Sequence, residues 1–332
     1  MNLFLSTSPL QLICCIEAKR FYNTKNNILI LREERSSAGS EQINKLLDKS
    51  EWDSVLILKR NSKIWNTARL IHKIKSLNPS LQFEHFFFAD YLAWRTNVLL
   101  ANIKASNEVM LDDGTNTIST FKTLIETEQH VYRNKRSRDI LMSALGIKKA
   151  RVIYPRKTFR LFTFFNLVSK KFPIDRNDFI TLKERLNINY CFSETAPVGF
   201  IGQGLVGSRG MKITEYCNLL KTIIKKHPRG LIYFPHRSET KDVENIVRSI
   251  NGVDYRKTSC PIEFEISNEE IKLSTIYGIT SAASFTLSKI YTNIPIYDIE
   301  VPIEKYEMPL LGETLESLRK EIGLPYAELP DW

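Results

Sequence analysis

No stretch of the sequence approaches about 18 uninterrupted apolar residues, so no bilayer-spanning helix is expected. The opening residues, Met1 to Phe21, lack a basic leader, and Ser6, Thr7, Ser8, Pro9 and Gln11 interrupt their apolar run, which argues against a secretory signal. Cysteine is sparse and scattered: Cys14, Cys15, Cys191, Cys217 and Cys260 are odd in number, with no Cys-x-x-Cys spacing and no matching histidine pair. That pattern argues against a zinc site and is expected of reduced thiols in a cytoplasmic protein. Internal repeats and low-complexity tracts are also missing. Lysines do not interleave with aromatics on one strand face, and no nucleic-acid-binding motif is present, so nucleic acid is not an expected partner.

What remains is an ordinary globular composition. A chain of 332 residues, 43% hydrophobic and 25% charged, can bury a sizeable core and suggests two domains. Forty-seven basic against thirty-seven acidic residues give a net charge of +10, so the surface should attract anions: nucleic acid, an anionic membrane or a phosphorylated substrate. Charge alone does not choose among them.

Short apolar runs alternate with amphipathic segments. Asn2–Ser6, Asn27–Arg32, Ser54–Lys59, Phe83–Phe88 and Glu108–Asp112 read as strands, with helical patterns such as Ile64–Ser76 between them. The pattern restarts at Val198–Gln203, Gly230–Pro235, Leu273–Gly278 and Pro295–Ile299, with a helix at Ile213–Lys226. This alternation predicts an α/β protein with two Rossmann-like domains, parallel sheets covered by helices on both faces. The expected divisions are a first Rossmann-like domain at residues 1–155, a linker or membrane-facing segment at 156–195, a second Rossmann-like domain at 196–310 and a carboxy-terminal helix or tail at 311–332.

The middle region, "RKTFRLFTFFNLVSKKFP", places cations around an aromatic and aliphatic centre. Read as a helix, Arg156–Pro173 could lie in an anionic membrane interface, with Phe159, Leu161, Phe162, Phe164, Phe165, Leu167 and Val168 below the headgroups. The competing reading is an interdomain helix packed in the core.

In open α/β sheets ligands bind beyond the carboxyl ends of the strands, and four such places carry chemistry. "STSPLQ" after the first strand offers Thr7, Ser8 and Gln11 at a helix start, able to hold an anion or to serve only as a cap. "DDGTNT" offers Asp112 and Asp113, one for a hydroxyl proton and one for local hydrogen bonds, with Gly114 in the turn; a plain Asp-Gly turn is the alternative. "YFPHR" ends a strand at Pro235 and presents His236 and Arg237 to a phosphate. "GITSAAS" brings Thr280 and Ser281 to a helix N-terminus as an anion cradle, or as close helix-to-sheet packing.

The segments "LFLSTSPLQL", "LDDGTNT", "YFPHR" and "YGITSAAS", in that order and spacing, resemble bacterial sialyltransferases of glycosyltransferase family 52, the lipooligosaccharide type. The resemblance implies a GT-B architecture, two Rossmann-like domains facing a cleft. It implies CMP-sialic acid bound mainly by the carboxy-terminal half, inversion at the anomeric carbon, and neither cofactor nor metal. The partners it implies are a sugar nucleotide and a glycan or glycolipid acceptor. It further implies that His236 contacts the CMP phosphate, that Thr280 and Ser281 cradle it, and that Glu263 of Pro261-Ile262-Glu263, or alternatively Glu265, holds the nucleoside. Gly202, Gln203 and Gly204 belong to the loop after the second domain's first strand. Some relatives carry an acid in that loop as catalytic base; "GQGLVGSRG" has none, so the base is assigned to Asp113 or Asp112. The expected activity is transfer of sialic acid to a bacterial surface glycan precursor in the cytoplasm or on the inner face of the inner membrane. A GT-B enzyme using a related nonulosonate or a nucleotide diphosphate hexose is the alternative.

Overall fold

Each half of the chain winds around its own parallel sheet. The computed structural model describes residues 1–332 except 35, 133–135, 187, 208–209, 258–259, 269, 328 and 330–332, together with the side chain of residue 136. Two compact units emerge, Met1–Asn177 and Asp178–Trp332.

In the first unit the strands are β1 (Asn2–Ser6), β2 (Asn27–Arg32), β3 (Ser54–Leu58), β4 (Gln82–Phe88), β5 (Lys104–Met110), β6 (Phe159–Thr163) and β7 (Ile174–Arg176), in the order β3-β2-β1-β4-β5-β6-β7. Every pairing is parallel. β1 is buried along its whole length between β2 and β4, which is why "NLFLS" reads as a run and not as an alternation. Phe4 of β1 stacks on Phe87 of β4 with ring centroids 4.2 Å apart. The covering helices are α1 (Pro9–Phe21), α2 (Ser37–Leu46), α3 (Lys63–Leu77), α4 (Trp94–Asn102), α5 (Asn116–Thr120) and α6 (Arg136–Ala144).

The second unit carries α7 (Ile180–Arg185), β8 (Val198–Ile201), α8 (Ile213–Lys226), β9 (Leu231–Phe234), α9 (Lys241–Arg248), β10 (Val253–Tyr255), α10 (Ile262–Glu265), β11 (Ile276–Gly278), α11 (Ala282–Ile290), β12 (Ile296–Asp298) and α12 (Pro309–Ile322). Its sheet is parallel, in the order β10-β9-β8-β11-β12. α8 buries Tyr216, Leu219, Leu220 and Ile223, the three- and four-residue spacing of one helix face, against that sheet. In each unit the winding reverses beside the first strand, between β1 and β4 and between β8 and β11. Those switch points leave a crevice at the carboxyl ends of the strands.

The middle region differs from expectation. Phe159–Thr163 is a strand, β6, paired with β5 and β7 inside the first sheet. Phe159, Leu161, Phe162, Phe164, Phe165 and Leu167 are buried, and only Val168 of the seven apolar residues is open, at 83% exposure. Side chains packed into a sheet cannot enter lipid, so the membrane-interface helix is corrected to core strand. Arg160 finds its counter-charge within the fold, where its guanidinium holds the Asp175 carboxylate of β7 at 3.0 and 3.1 Å. Residues 156–177 therefore belong to the first unit instead of a linker, and the carboxy-terminal helix, α12, packs into the second unit through buried Gly312, Arg319 and Ile322. Among the described residues no helix is long and apolar enough to cross a membrane.

Candidate active site

In the first unit the site grows from the start of α1. Ser8 caps the helix by accepting the Gln11 N–H at 3.3 Å, and Pro9 occupies the first turn, where a missing N–H costs nothing. The buried Gln11 side chain then has a defined orientation: its Oε1 accepts the Thr7 N–H at 2.8 Å, so its Nε2 donates to Asp113 Oδ1 at 2.6 Å. Asp113 is further tethered by its own N–H, which donates to Thr117 Oγ1 at 2.8 Å. Its second oxygen, Oδ2, has no hydrogen-bond partner among the described residues. Gly114, which follows, sits at φ +63°, a left-handed conformation that a side chain would strain.

The two aspartates have opposite surroundings. Asp112 is completely buried; Thr163 Oγ1 donates to Oδ1 at 2.7 Å and the Phe164 N–H to Oδ2 at 2.8 Å. Burial pushes its carboxyl up to about 7, against the lowering effect of those bonds. A carboxyl with no exposed surface and both oxygens engaged cannot reach a substrate hydroxyl. Asp112 fastens the end of β5 to the end of β6, and Asp113 is the acid of the pair with an open oxygen.

In the second unit, Pro235 ends β9 and His236 follows it. The ring Nδ1 lies 2.7 Å from Ser238 Oγ and accepts the Ser238 N–H at 3.2 Å. An accepting Nδ1 fixes the neutral tautomer with the proton on Nε2, which has no partner among the described residues. The residue presents open surface, yet surrounding atoms crowd the ring; desolvation first and Arg237 second hold its pKa below the ordinary histidine value. The glycines after β8 make room for it. A Cβ on Gly204 would lie 2.5 Å from His236 Nδ1, and one on Gly202 would lie 2.6 Å from the Tyr233 hydroxyl. Gln203 spans the switch point, its amide donating to the Ile279 carbonyl beyond β11 while its N–H meets the Tyr216 hydroxyl at 3.3 Å.

The expected cradle after β11 is altered from within. Thr280 gives its N–H to Asp298 Oδ1 at 2.6 Å and its hydroxyl to Oδ2 at 3.2 Å, so both donors are taken by a buried carboxylate at the end of β12. Burial raises Asp298 to about 6, opposed by the Thr280 bonds. Thr280 anchors the turn and offers no donor to an incoming anion. Ser281 caps α11 by accepting the Ser284 N–H at 3.1 Å, so its hydroxyl oxygen is engaged within the helix start. A cavity of about 200 Å³ opens next to Thr280, but Glu300, Glu304 and Glu316 line it, and its cation Arg319 is paired with Glu300 at 3.0 Å. That lining repels phosphate.

Glu263 is buried, accepts the Thr286 hydroxyl of α11 at 2.8 Å, and is pushed up in pKa by its burial. Glu265 pairs with Arg256 at 3.4 Å and accepts the Cys260 thiol at 3.1 Å. Glu263 thus ties α10 to α11, and neither carboxylate is uncommitted. Asp298, the partner of Thr280, escaped the sequence reading; it closes an apolar strand, and a charged residue at a buried strand's carboxyl end was the available signal.

No protein-family model matches the sequence, and no curated protein matches it. Among solved structures, a protein assigned as UDP-N-acetylglucosamine 2-epimerase from Listeria monocytogenes aligns over 98% of this chain and 90% of its own, with a TM-score of 0.57 and 10% identity. The fold is GT-B. A UDP-N-acetylglucosamine 2-epimerase from Rickettsia bellii aligns at a TM-score of 0.46 with 9% identity, over 97% and 88% of the two chains. A glycosyl transferase family 9 protein from Veillonella parvula aligns at 0.41 with 8% identity, over 90% and 80%. At 10% identity the likeness to the Listeria protein is one of GT-B architecture, two Rossmann-like units in one chain, and function rests on the site.

Proposed function

We propose that the protein is an inverting GT-B glycosyltransferase that moves sialic acid from CMP-sialic acid to a hydroxyl of a bacterial surface glycan precursor. The observation that carries this reading is the environment of His236: a neutral ring at a strand's carboxyl end, its Nδ1 already occupied and its Nε2–H left for a ligand oxygen. A phosphate at that position would be met by one neutral donor, Arg237 beside it and the start of α11. That is a modest set of donors, suited to the monophosphate of a CMP-sugar; a diphosphate donor calls for more cations. The resemblance of four sequence segments to family 52 sialyltransferases favours the same donor, and a GT-B fold is compatible with it.

The chemistry follows from these groups. In an inverting transfer the acceptor hydroxyl attacks the anomeric carbon and loses its proton to a base, while the bond from that carbon to the phosphate oxygen breaks with its electron pair on the phosphate; within the first unit, Asp113 Oδ2 is the group we assign as that base. His236 Nε2–H donates to the oxygen that gains charge, a stabilisation that grows toward the transition state. Gln11 holds Asp113 Oδ1 and so keeps Oδ2 in position for the proton. No step in this scheme calls on a metal or other cofactor. The five cysteines are free thiols, in keeping with a cytoplasmic site of action, where nucleotide sugars are available.

The reading is tested by incubating the protein with CMP-sialic acid and a panel of galactosides, sialosides and lipid-linked glycans, and following products by mass. A sialylated product supports it. Transfer from a UDP-hexose, with none from CMP-sialic acid, would reassign the donor.

A further inference from the structure

The carboxyl end of β3 carries a cavity that the proposed reaction leaves unused. Lys59, Asn61, Ser62, Trp65, Asn66 and Arg69 line a space of about 500 Å³ on the first unit. The Trp65 indole, in the first turn of α3, is 57% exposed. A large aromatic left in water on a cavity wall is available to stack against the face of a ligand. Lys59 and Arg69 are exposed beside it, and neither has an acidic partner among the described residues. The wall is preformed: the Asn66 amide donates to the Asn61 carbonyl at 2.7 Å and to its side-chain oxygen at 3.0 Å, and Arg95 donates to the Lys59 carbonyl at 2.9 Å.

The sheet order extends this positive charge toward the reaction centre. β3, β2 and β1 are neighbours, so Lys59, Arg32 and Thr7 follow one another along their carboxyl ends. Arg32 reaches the Thr7 carbonyl at 3.5 Å, and the Nε atoms of both Arg32 and Arg95 are buried without a hydrogen-bond partner. Burial, followed by the charges of Arg32, Arg60 and Arg138, lowers Arg95 to about 10. Glu33 and Glu34 offset part of that charge through Arg60, so the preference for an anionic ligand over a neutral one rests on Lys59 and Arg69.

We infer that the cavity is a subsite for an anionic sugar residue of the acceptor, with its ring face on Trp65 and its carboxylate or phosphate between Lys59 and Arg69. This rests on the transferase reading above, because it names the acceptor class. Asn61 and Asn66 would meet the hydroxyls of that sugar, while the two cations supply the discrimination against neutral glycans. A single-stranded nucleic acid could also stack on Trp65, but one isolated aromatic gives no platform for successive bases.

The test is a fluorescence titration of the full-length protein, without any sugar nucleotide, using sialyllactose, galactose 6-phosphate, lactose and an oligothymidylate. Saturable quenching by an acidic sugar is expected, with lactose weaker by roughly tenfold or more, as the loss of one charge-assisted contact implies. The tighter of the two acidic sugars identifies carboxylate or phosphate as the group read. Trp65→Phe should abolish the quench; Lys59→Ala and Arg69→Ala should each weaken the binding measured by calorimetry by roughly tenfold. Equal affinity for lactose and both acidic sugars, a quench that survives Trp65→Phe, or tighter binding of the oligothymidylate would overturn the inference. Since no donor is present, failure here leaves the sialyl-transfer assay standing, and failure of that assay leaves this binding result standing.

Discussion

Replacing Asp112 with asparagine asks whether the first aspartate of the pair is a structural fastener or a catalytic base. Its carboxyl rises from 3.8 to about 7 because it is fully buried. Between those two values the folded protein holds a proton that the unfolded chain has lost, so stability falls as pH rises through that window and the loss is complete above about 7. From pH 5 to pH 7 this amounts to two units at ~1.4 kcal/mol each, about 3 kcal/mol. Asparagine stays neutral throughout, so it escapes that loss. Its amide oxygen can still accept the Phe164 N–H, while the bond from Thr163 must rearrange at a cost of about 1 kcal/mol. Urea unfolding of both proteins at pH 5, 6, 7 and 8, followed by fluorescence, measures the difference. The mutant should be slightly less stable than wild type or equal to it at pH 5, and should gain about 3 kcal/mol on wild type by pH 8. A stability difference that stays flat over this range would mean that Asp112 is ionised and solvated in the folded state, and would refute its assignment as a buried fastener.

Asp113→Asn should lower turnover by roughly 10²–10⁴-fold while CMP binding, measured by calorimetry, is retained, because proton removal and donor binding use different groups. His236→Ala should cost roughly 10²–10⁴-fold in kcat in a folded protein, and Gly204→Ala should produce a loss of the same kind, since its Cβ would occupy space 2.5 Å from the ring nitrogen. Normal turnover in both would return His236 to the role of a turn residue. Phe162→Ser, in the segment first read as membrane-facing, should destabilise the protein by about 3–5 kcal/mol in thermal or urea unfolding, because a side chain 1% exposed in β6 leaves a cavity behind. Unchanged stability in that variant would contradict its burial.

The long central strands were legible because a strand buried on both faces in a parallel sheet reads as a largely apolar run, as in β1 and β2. β6 was misassigned for a related reason: dense aromatics hide the two-residue period, and the cations around them resemble an interfacial helix until Asp175 of β7 supplies the counter-charge to Arg160. β7 and β10 span three residues each and contain Asp175, Arg176 and Asp254, too short and too polar to announce themselves. At the site, His236 was legible because proline, histidine and serine act within one turn. The division between Asp112 and Asp113 was not, because it depends on β6 arriving beside β5 with Thr163 and Phe164 in place. The loss of Thr280 as a donor depends on Asp298, a residue 18 positions away. Local patterning carries strand ends and turns; pairings between distant strand ends are set by tertiary structure.

The central claim is inverting transfer from a CMP-sugar by the protein's own side chains. It is tested most directly by following CMP-sialic acid and a galactoside acceptor by NMR in excess EDTA, reading the anomeric configuration of the first product formed. The account predicts release of one CMP per α-sialoside formed, the inverse of the donor's β configuration, at a rate the chelator leaves unchanged. A product that retains the β configuration, or transfer that stops in EDTA and returns with magnesium or manganese, would contradict it.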